Sequence, residues 1–180
     1  MRKLFVSNVS SLDSYAEDSN KKLDWFIRDE EFFAYARQML RQVDTILFGR
    51  LTYEIMVAHW PTAPTDEIAD QMNSLAKVVF SRTLPSVAWN NTRLVSGDPA
   101  DEVRKLKQQP GKDIVILGSA TLASYLLQAG LIDEYRVILT PVLLGRGGPL
   151  FPNLKEQWKL KLSKTQTLSS GVVILYYQSS

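Results

Sequence analysis

Three junctions along the chain place small, polar or basic residues directly after an apolar run. They are Phe48-Gly49-Arg50, Phe80-Ser81-Arg82 and Leu117-Gly118-Ser119. Each apolar run is typical of a buried strand, and the residues after Gly49 and Gly118 are typical of a helix. A helix that begins after a glycine offers free backbone N–H groups and a positive dipole end to a phosphate. The junctions therefore predict a site for an anionic nucleotide, above all a phosphorylated dinucleotide.

Ser81 and Arg82 indicate which dinucleotide this is. A hydroxyl and a guanidinium after a strand suit the ribose 2′-phosphate, the group that distinguishes NADP from NAD. The alternative for this pair is a turn capped by Ser81, with Arg82 on the surface. The Gly49-Arg50 junction has a similar alternative, a plain strand-to-helix turn with Arg50 in solvent.

Three carboxylates are candidates for acid–base chemistry: Asp13 in a polar loop, and Glu30 and Glu31 at the start of a predicted helix. Reduction of a polar heterocycle needs a hydride from a cofactor and a proton from an acid or an ordered water. We favour a functional role for Asp13, although it also suits a turn. For the two glutamates we favour the alternative, surface acids that complement the helix dipole.

The segment Gly145-Arg146-Gly147-Gly148 is superficially similar to a dinucleotide-binding fingerprint. It lacks the third spaced glycine, and it continues into Pro149 instead of a helix. The fingerprint needs both features, because the pyrophosphate binds at a helix N-terminus. We therefore interpret this segment as an irregular loop, near a bound nucleotide at most.

The elements that position these residues follow from the apolar periodicity. Strands are predicted over residues 4–6, 45–48, 77–80, 94–95, 113–117, 134–140, 158–162 and 172–177. Helices are predicted to begin at 29–31 and 65–67 and to span about 51–58, 99–108 and 120–129. Strand–helix units come first, and two strands joined by a turn at Ser169-Ser170-Gly171 end the chain. This order predicts an α/β fold that closes with an antiparallel hairpin.

Composition excludes several classes of site. The 180 residues suit one domain, 1–180, with ordinary content: 45% are hydrophobic and 22% charged. Cysteine is absent and His59 is the only histidine, which removes thiolate nucleophiles, disulfides and histidine or cysteine metal sites. The net charge of +2 gives no reason to expect nucleic-acid binding. No signal peptide and no membrane-spanning run is predicted, so we expect a cytoplasmic protein without membrane or metal partners.

Six short motifs occur in order over nearly the whole chain. They are Ser11-Leu12-Asp13, Leu23-Asp24-Trp25, Phe48-Gly49-Arg50-Leu51-Thr52-Tyr53, Phe80-Ser81-Arg82-Thr83-Leu84, Ile116-Leu117-Gly118-Ser119 and Pro141-Val142-Leu143-Leu144-Gly145-Arg146-Gly147. Their order and spacing resemble the dihydrofolate-reductase-like superfamily. Within it, the chain is most similar to the branch named for the C-terminal reductase domain of riboflavin biosynthesis. Ser14 and Ser119 stand where that family usually has glycines.

The resemblance implies a three-layer α/β/α fold with a mostly parallel central sheet, a C-terminal antiparallel hairpin, and NADPH as hydride donor. It implies cofactor binding by Gly49, Arg50, Thr52, Ser81, Arg82, Gly118, Ser119 and Thr121. Asp13 is expected beside nicotinamide and substrate, and Glu30 or Glu31 near the family's substrate-binding carboxylate. Without cysteine, no zinc deaminase half is expected.

The activity that the resemblance implies is reduction of a pteridine-like or ribitylaminopyrimidine-like heterocycle. A 5-amino-6-(5-phosphoribosylamino)uracil reductase of riboflavin biosynthesis is one such enzyme. The resemblance also implies a homodimer. The alternative is a non-catalytic, nucleotide-binding dimer of the same fold.

Overall fold

The structure, a computed structural model, describes residues 1–179. Ten strands lie within this range: β1 (Leu4–Ser11), β2 (Tyr15–Asp18), β3 (Val43–Gly49), β4 (Ala76–Phe80), β5 (Thr92–Val95), β6 (Asp113–Leu117), β7 (Glu134–Thr140), β8 (Gly147–Pro149), β9 (Leu160–Thr167) and β10 (Val173–Ser179). The helices are α1 (Glu30–Arg41), α2 (Arg50–His59), α3 (Glu67–Ser74), α4 (Pro99–Gln108) and α5 (Ala120–Gln128), with a short 3-10 helix at Trp60–Thr62.

Eight of the strands form one sheet in the order β5-β4-β3-β6-β1-β7-β10-β9. The six strands from β5 to β7 are parallel, whereas β10 runs antiparallel to both β7 and β9. The predicted mostly parallel sheet with a C-terminal antiparallel hairpin is confirmed. The connection from β6 to β7 passes over β1 through α5, and parallel strands require a crossover of this kind.

Helices cover both faces of the sheet, which confirms the three-layer architecture. One apolar cluster joins the sheet to α1, α2 and α3, and a second joins its other face to α4 and α5. The central strands therefore bury side chains on both faces, for example Ile46 and Leu47 at adjacent positions of β3. This double burial explains why the sequence shows continuous apolar runs there instead of alternation.

The last predicted strand before the hairpin turn differs from the structure. The alternation at 158–162 predicts a strand that begins at Trp158, whereas β9 begins at Leu160 and continues to Thr167. Its side chains are mostly exposed, so apolar periodicity carries little information over residues 163–167. The pairing with β10, which the periodicity does not reveal, sets the true length of this strand.

Two kinds of feature are absent from the described residues. Within residues 1–179, no helix combines the length and apolar character needed to cross a bilayer. Over the same residues, no three carboxylate or imidazole side chains lie together in an arrangement that could hold a metal ion.

Candidate functional site

The predicted junctions meet at one edge of the sheet, where the parallel strands end. β6 lies between β3 and β1, and β4 lies on the other side of β3. The residues at and after the ends of these strands therefore lie along one edge of the sheet, which we call the carboxyl-edge cleft after the crevice that open α/β sheets form there. Gly49, Ser81, Gly118 and Asp13 lie at this edge although they are far apart in the sequence. Ligands of open α/β sheets bind at such an edge.

A pair of hydrogen bonds ties two of the junctions together. The Ser119 Oγ accepts from the Gly49 N–H at 2.9 Å, and the Thr52 Oγ1 accepts from the Ser119 N–H at 3.1 Å. A Cβ at Gly118 would lie only 3.1 Å from the Thr52 methyl, so a side chain there would press on Thr52. Because the Gly49 N–H already donates to Ser119, it is not available to a ligand. The backbone N–H groups that can bind a ligand at this junction belong to the residues after Gly49.

The two helices that begin at the cleft differ from the others in whether a side chain caps the backbone N–H groups of their first turn. α1, α3 and α4 are capped by aspartate side chains, namely Asp29, Asp66 and Asp98. The N-cap residues of α2 and α5 are Gly49 and Ser119, and neither helix has a side-chain cap. Their first-turn N–H groups and positive dipole ends are therefore available to an anion in the cleft.

Two predicted phosphate contacts lie on these first turns with exposed side chains. Arg50 forms an ion pair with Glu54 at 3.1 Å, one turn along α2. Exposed i,i+4 pairs of this kind are weak, so Arg50 can exchange Glu54 for a ligand phosphate at little cost. Thr121 is exposed on the first turn of α5. The structure places both residues at the predicted edge.

Ser81 forms the turn that the sequence offered as its alternative role. Its Oγ accepts from the N–H groups of Thr83 at 3.1 Å and Leu84 at 3.0 Å. The Ser81 hydroxyl still has its own proton, which it can donate to an anion or to the Thr83 Oγ1 at 3.4 Å. Arg82 beside it is exposed and has no ion-pair partner among residues 1–179. The two side chains thus retain donors for an anion.

Asp13 fixes the loop that follows β7. Its Oδ1 accepts from the Ser11 hydroxyl at 2.7 Å and the Leu144 N–H at 3.1 Å, and its Oδ2 accepts from the Gly145 N–H at 2.7 Å. These bonds, led by the one from Ser11, lower the pKa of Asp13. A carboxylate that is held ionised is a poor proton donor at neutral pH. The geometry favours a positioning role over the predicted proton donation.

Glu30 and Glu31 each have a protein partner. Glu30 forms an ion pair with Arg37 on α1. Glu31 accepts from the Ser169 N–H at 2.9 Å and from the Ser169 hydroxyl at 2.7 Å. Glu31 therefore fastens the start of α1 to the turn between β9 and β10. This arrangement agrees with the structural alternative favoured for these glutamates.

The second half of the glycine-rich segment forms a strand, whereas the sequence predicts an irregular loop over the whole segment. Gly147–Pro149 is β8, which pairs antiparallel with β2 in a separate two-stranded ribbon. A Cβ at Gly147 would overlap the Glu17 carbonyl oxygen, and one at Gly148 would lie 2.6 Å from the Glu17 Cγ. These glycines therefore serve the close approach of two strands, which explains why they lack the context of a nucleotide fingerprint.

Comparison with known proteins agrees with this arrangement of motifs. The family model of the RibD C-terminal domain matches residues 2–174. The chain belongs to the RibD C-terminal domain family. It is 35% identical to the uncharacterized Bacillus subtilis protein YyaP, over 98% of this chain and 94% of that protein.

Two solved structures share the fold of this RibD C-terminal domain. A Shewanella sp. PV-4 protein named for riboflavin biosynthesis superposes with a TM-score of 0.79 at 24% identity, over 99% of each chain. A Thermotoga maritima diaminohydroxyphosphoribosylaminopyrimidine deaminase/5-amino-6-(5-phosphoribosylamino)uracil reductase gives a TM-score of 0.70 at 13% identity. The match covers 99% of the present chain but only 57% of the Thermotoga protein.

Two serines of this RibD C-terminal domain adopt a backbone conformation that favours glycine. Ser14 has φ of 69° and Ser119 has φ of 52°, directly after Gly118 with φ of 62°. These are the positions where the sequence departs from the glycines usual in the resembled family. The left-handed backbone is thus kept without glycine, at a cost of about 1–2 kcal/mol for each residue. At Ser119 the side chain offsets part of this cost through its bond to Gly49.

An apolar rim around the cleft was not predicted from the sequence. Leu12 follows β1, Leu143 follows β7, and Leu51 and Ile55 lie one turn apart on α2. Each of these side chains is more than half exposed. Apolar side chains at the mouth of a polar cleft suit a flat ring. No signal in the sequence indicates this rim, because Leu12 and Leu143 lie in loops and Leu51 and Ile55 lie in a predicted helix.

Proposed function

We propose that this protein is an NADPH-dependent reductase of a pteridine-like or ribitylaminopyrimidine-like heterocycle. Its family and the named activity of the Thermotoga relative support a reductase. The observation that carries the cofactor assignment is the pair of uncapped helix N-termini at the carboxyl-edge cleft. Such ends attract phosphates, and this cleft has two side by side.

The residues of the cleft fit NADPH. The first turns of α2 and α5, with Thr52, Gly118, Ser119 and Thr121, would hold the pyrophosphate. The Ser81 hydroxyl and the unpaired Arg82 guanidinium would hold the 2′-phosphate. When bound, NADPH supplies the hydride. The chain has to orient the two rings and exclude water around them.

The substrate ring would lie near Asp13 and the apolar rim. Leu12 and Leu143 project beside the loop that Asp13 fixes through Leu144 and Gly145. Asp13 would keep this loop in place and hold a water with a carboxylate lone pair that remains free. We infer that this water, and not the ionised Asp13 itself, delivers the proton to the substrate nitrogen.

A second candidate function is a nucleotide-binding protein without catalysis. It is favoured by one observation: Asp13, Glu30 and Glu31 all have protein partners, so none of the predicted acid–base candidates is free. Under this alternative the cleft would still hold NADPH, because the phosphate contacts do not depend on these carboxylates.

A screen of NADPH oxidation separates the two functions. The purified protein is mixed with NADPH and, in turn, with a panel of pteridines and of aminopyrimidines with and without a ribityl phosphate. The proposal predicts a loss of nicotinamide absorbance that requires one class of heterocycle. NADPH binding with no turnover across the panel would support the non-catalytic alternative. Absence of NADPH binding would contradict both.

A further inference from the structure

A second polar pocket lies away from the cleft, between α1 and the outer strands of the sheet. Its volume is about 70 Å³. Six polar residues line it: Tyr35, Gln38, Gln42, Arg136, Lys164 and Tyr176. Arg136 lies near the beginning of β7, whereas the cleft is formed by the strand carboxyl ends. We call this the α1–β9 pocket, and the proposed reaction does not use it.

Several contacts hold the Arg136 side chain in this pocket, and some of its guanidinium N–H groups remain without an acceptor. Its side chain is only 11% exposed, and its Nε donates to the Glu134 carboxylate at 2.6 Å. One Nη1–H donates to the Gln42 Oε1 at 3.1 Å, and the guanidinium stacks 3.7 Å from the Phe5 ring centre. A guanidinium has five N–H groups. Three of them therefore have no acceptor among residues 1–179.

Tyr35 adds a buried hydroxyl that has no partner. The residue is 5% exposed, and its hydroxyl makes no hydrogen bond within residues 1–179. Burial raises the pKa of Tyr35 to about 12, although the Ser7 hydroxyl and Arg136 lie close enough to lower it slightly. The phenol therefore keeps its proton and remains a donor. Leaving such a group unsatisfied is unfavourable, so a polar ligand that accepts from it stabilises the fold.

Lys164 supplies a second positive charge at the mouth of the pocket. It is exposed on β9, with its Nζ 4.9 Å from the Tyr176 ring centre and without an ion-pair partner in the described range. Glu134 neutralises one of the two cations, Arg136 and Lys164. The pocket thus keeps a net charge of about plus one. The groups of Tyr35, Arg136 and Lys164 that lack a hydrogen-bond partner are donors.

We propose that the α1–β9 pocket binds a small oxyanion, a phosphate or a carboxylate. The Tyr35 hydroxyl, the spare Arg136 N–H groups and the Lys164 ammonium would donate to its oxygens. Water occupies roughly 30 Å³ per molecule in the liquid, so the pocket has room for about two waters or one such anion. This proposal is independent of the cofactor, because none of its residues lies in the carboxyl-edge cleft.

The test measures thermal unfolding of the full chain against inorganic phosphate, with acetate as a second arm and sodium chloride at matched ionic strength as the reference. A ligand of the native state raises the melting temperature with its concentration. Two variants probe the pocket: Lys164→Met, and Tyr35→Phe, which removes the unsatisfied hydroxyl. Lys161→Met, exposed on the same strand, is the matched control.

We expect a rise above the chloride reference in at least one arm, and the responding arm tells phosphate from carboxylate. Lys164→Met should weaken the apparent affinity about tenfold, with Lys161→Met unchanged. Tyr35→Phe should be at least as stable as wild type without anion, yet respond more weakly to it. No rise above chloride, or an equal rise in wild type and both pocket variants, would overturn the proposal.

Discussion

We propose that Asp13 positions the site without moving a proton. Its hydrogen bonds to Leu144 and Gly145 hold the loop that carries Leu143 beside the cleft. Asp13→Asn should loosen this loop, because the amide replaces one accepting oxygen with a donor. Hydrogen exchange at Leu144 and Gly145 should become several-fold faster, while Asp24→Asn, an exposed control, should leave it unchanged. Unaltered exchange in Asp13→Asn would contradict the positioning role.

The same bonds give the stability a pH dependence with a definite sign. They lower the pKa of the folded-state Asp13 below its usual 3.8. A carboxyl group whose pKa is lower in the folded state stabilises the fold when the pH is above its unfolded-state pKa. This stabilisation is lost as the pH falls through the folded-state pKa. In acid titrations of unfolding, wild type should therefore lose more stability below pH 3.8 than Asp13→Asn does.

Ser119 has a strained left-handed backbone, and its side chain makes a stabilising hydrogen bond to Gly49. Two substitutions separate the effects of the backbone and of the side chain on stability. Ser119→Ala loses the bond to Gly49 and keeps the left-handed backbone, so it should unfold about 1 kcal/mol more easily. Ser119→Gly loses the same bond but relieves the backbone, so it should be about 1 kcal/mol more stable than the alanine variant. Urea unfolding measures both. An alanine variant as stable as the glycine variant would show that the backbone is not strained.

At the scale of elements, the β2–β8 ribbon depends on glycines that have no room for a side chain. Gly147→Ala would drive its Cβ into the Glu17 carbonyl, so it should separate the two strands and lower the stability by at least about 2 kcal/mol. Gly97→Ala is the matched control, because a Cβ there meets nothing within 4 Å. Chemical denaturation compares the two. Equal effects would contradict the packing role of Gly147.

Local pattern predicts most of the elements that bear the site. Helix α4 has the predicted bounds, and α5 begins at the predicted Ala120, because caps and apolar periodicity are local signals. The β2–β8 ribbon could not be predicted, since its strands follow β1 and β7 and meet only when those strands pair. The Ser119–Gly49 bond joins residues 70 positions apart, so the sequence gives the two junctions but not their contact.

Buried Lys77 is a further example of tertiary context. The sequence places it at the start of an apolar strand, where its charge is unexplained. In the structure its ammonium donates to the carbonyls of Met72, Asn73 and Leu75 at the end of α3, and it packs 4.4 Å from the Trp89 ring centre. No local pattern encodes this cap, because it needs α3 and β4 already in place.

At the scale of the whole molecule, β9 leaves one end of the sheet without a neighbouring strand. Exposed edges of this kind invite pairing, and Leu162 on β9 is nearly half exposed. We propose a homodimer that forms through this edge. Sedimentation should give a dimer for wild type and a monomer for Leu162→Lys, whereas Leu143→Lys, which changes an exposed leucine outside β9, should still be dimeric. A monomeric wild type would contradict the proposal.

The cofactor assignment rests on the whole cleft, and a comparison of NADPH with NADH tests it most directly. Fluorescence titrations of wild type should show NADPH binding at least about tenfold more tightly than NADH, because only NADPH carries the 2′-phosphate. Arg82→Met should lower the NADPH affinity to that of NADH and leave NADH binding unchanged, while Arg104→Met, an exposed control on α4, should alter neither. Equal affinities in wild type, or no binding of either nucleotide, would contradict the account.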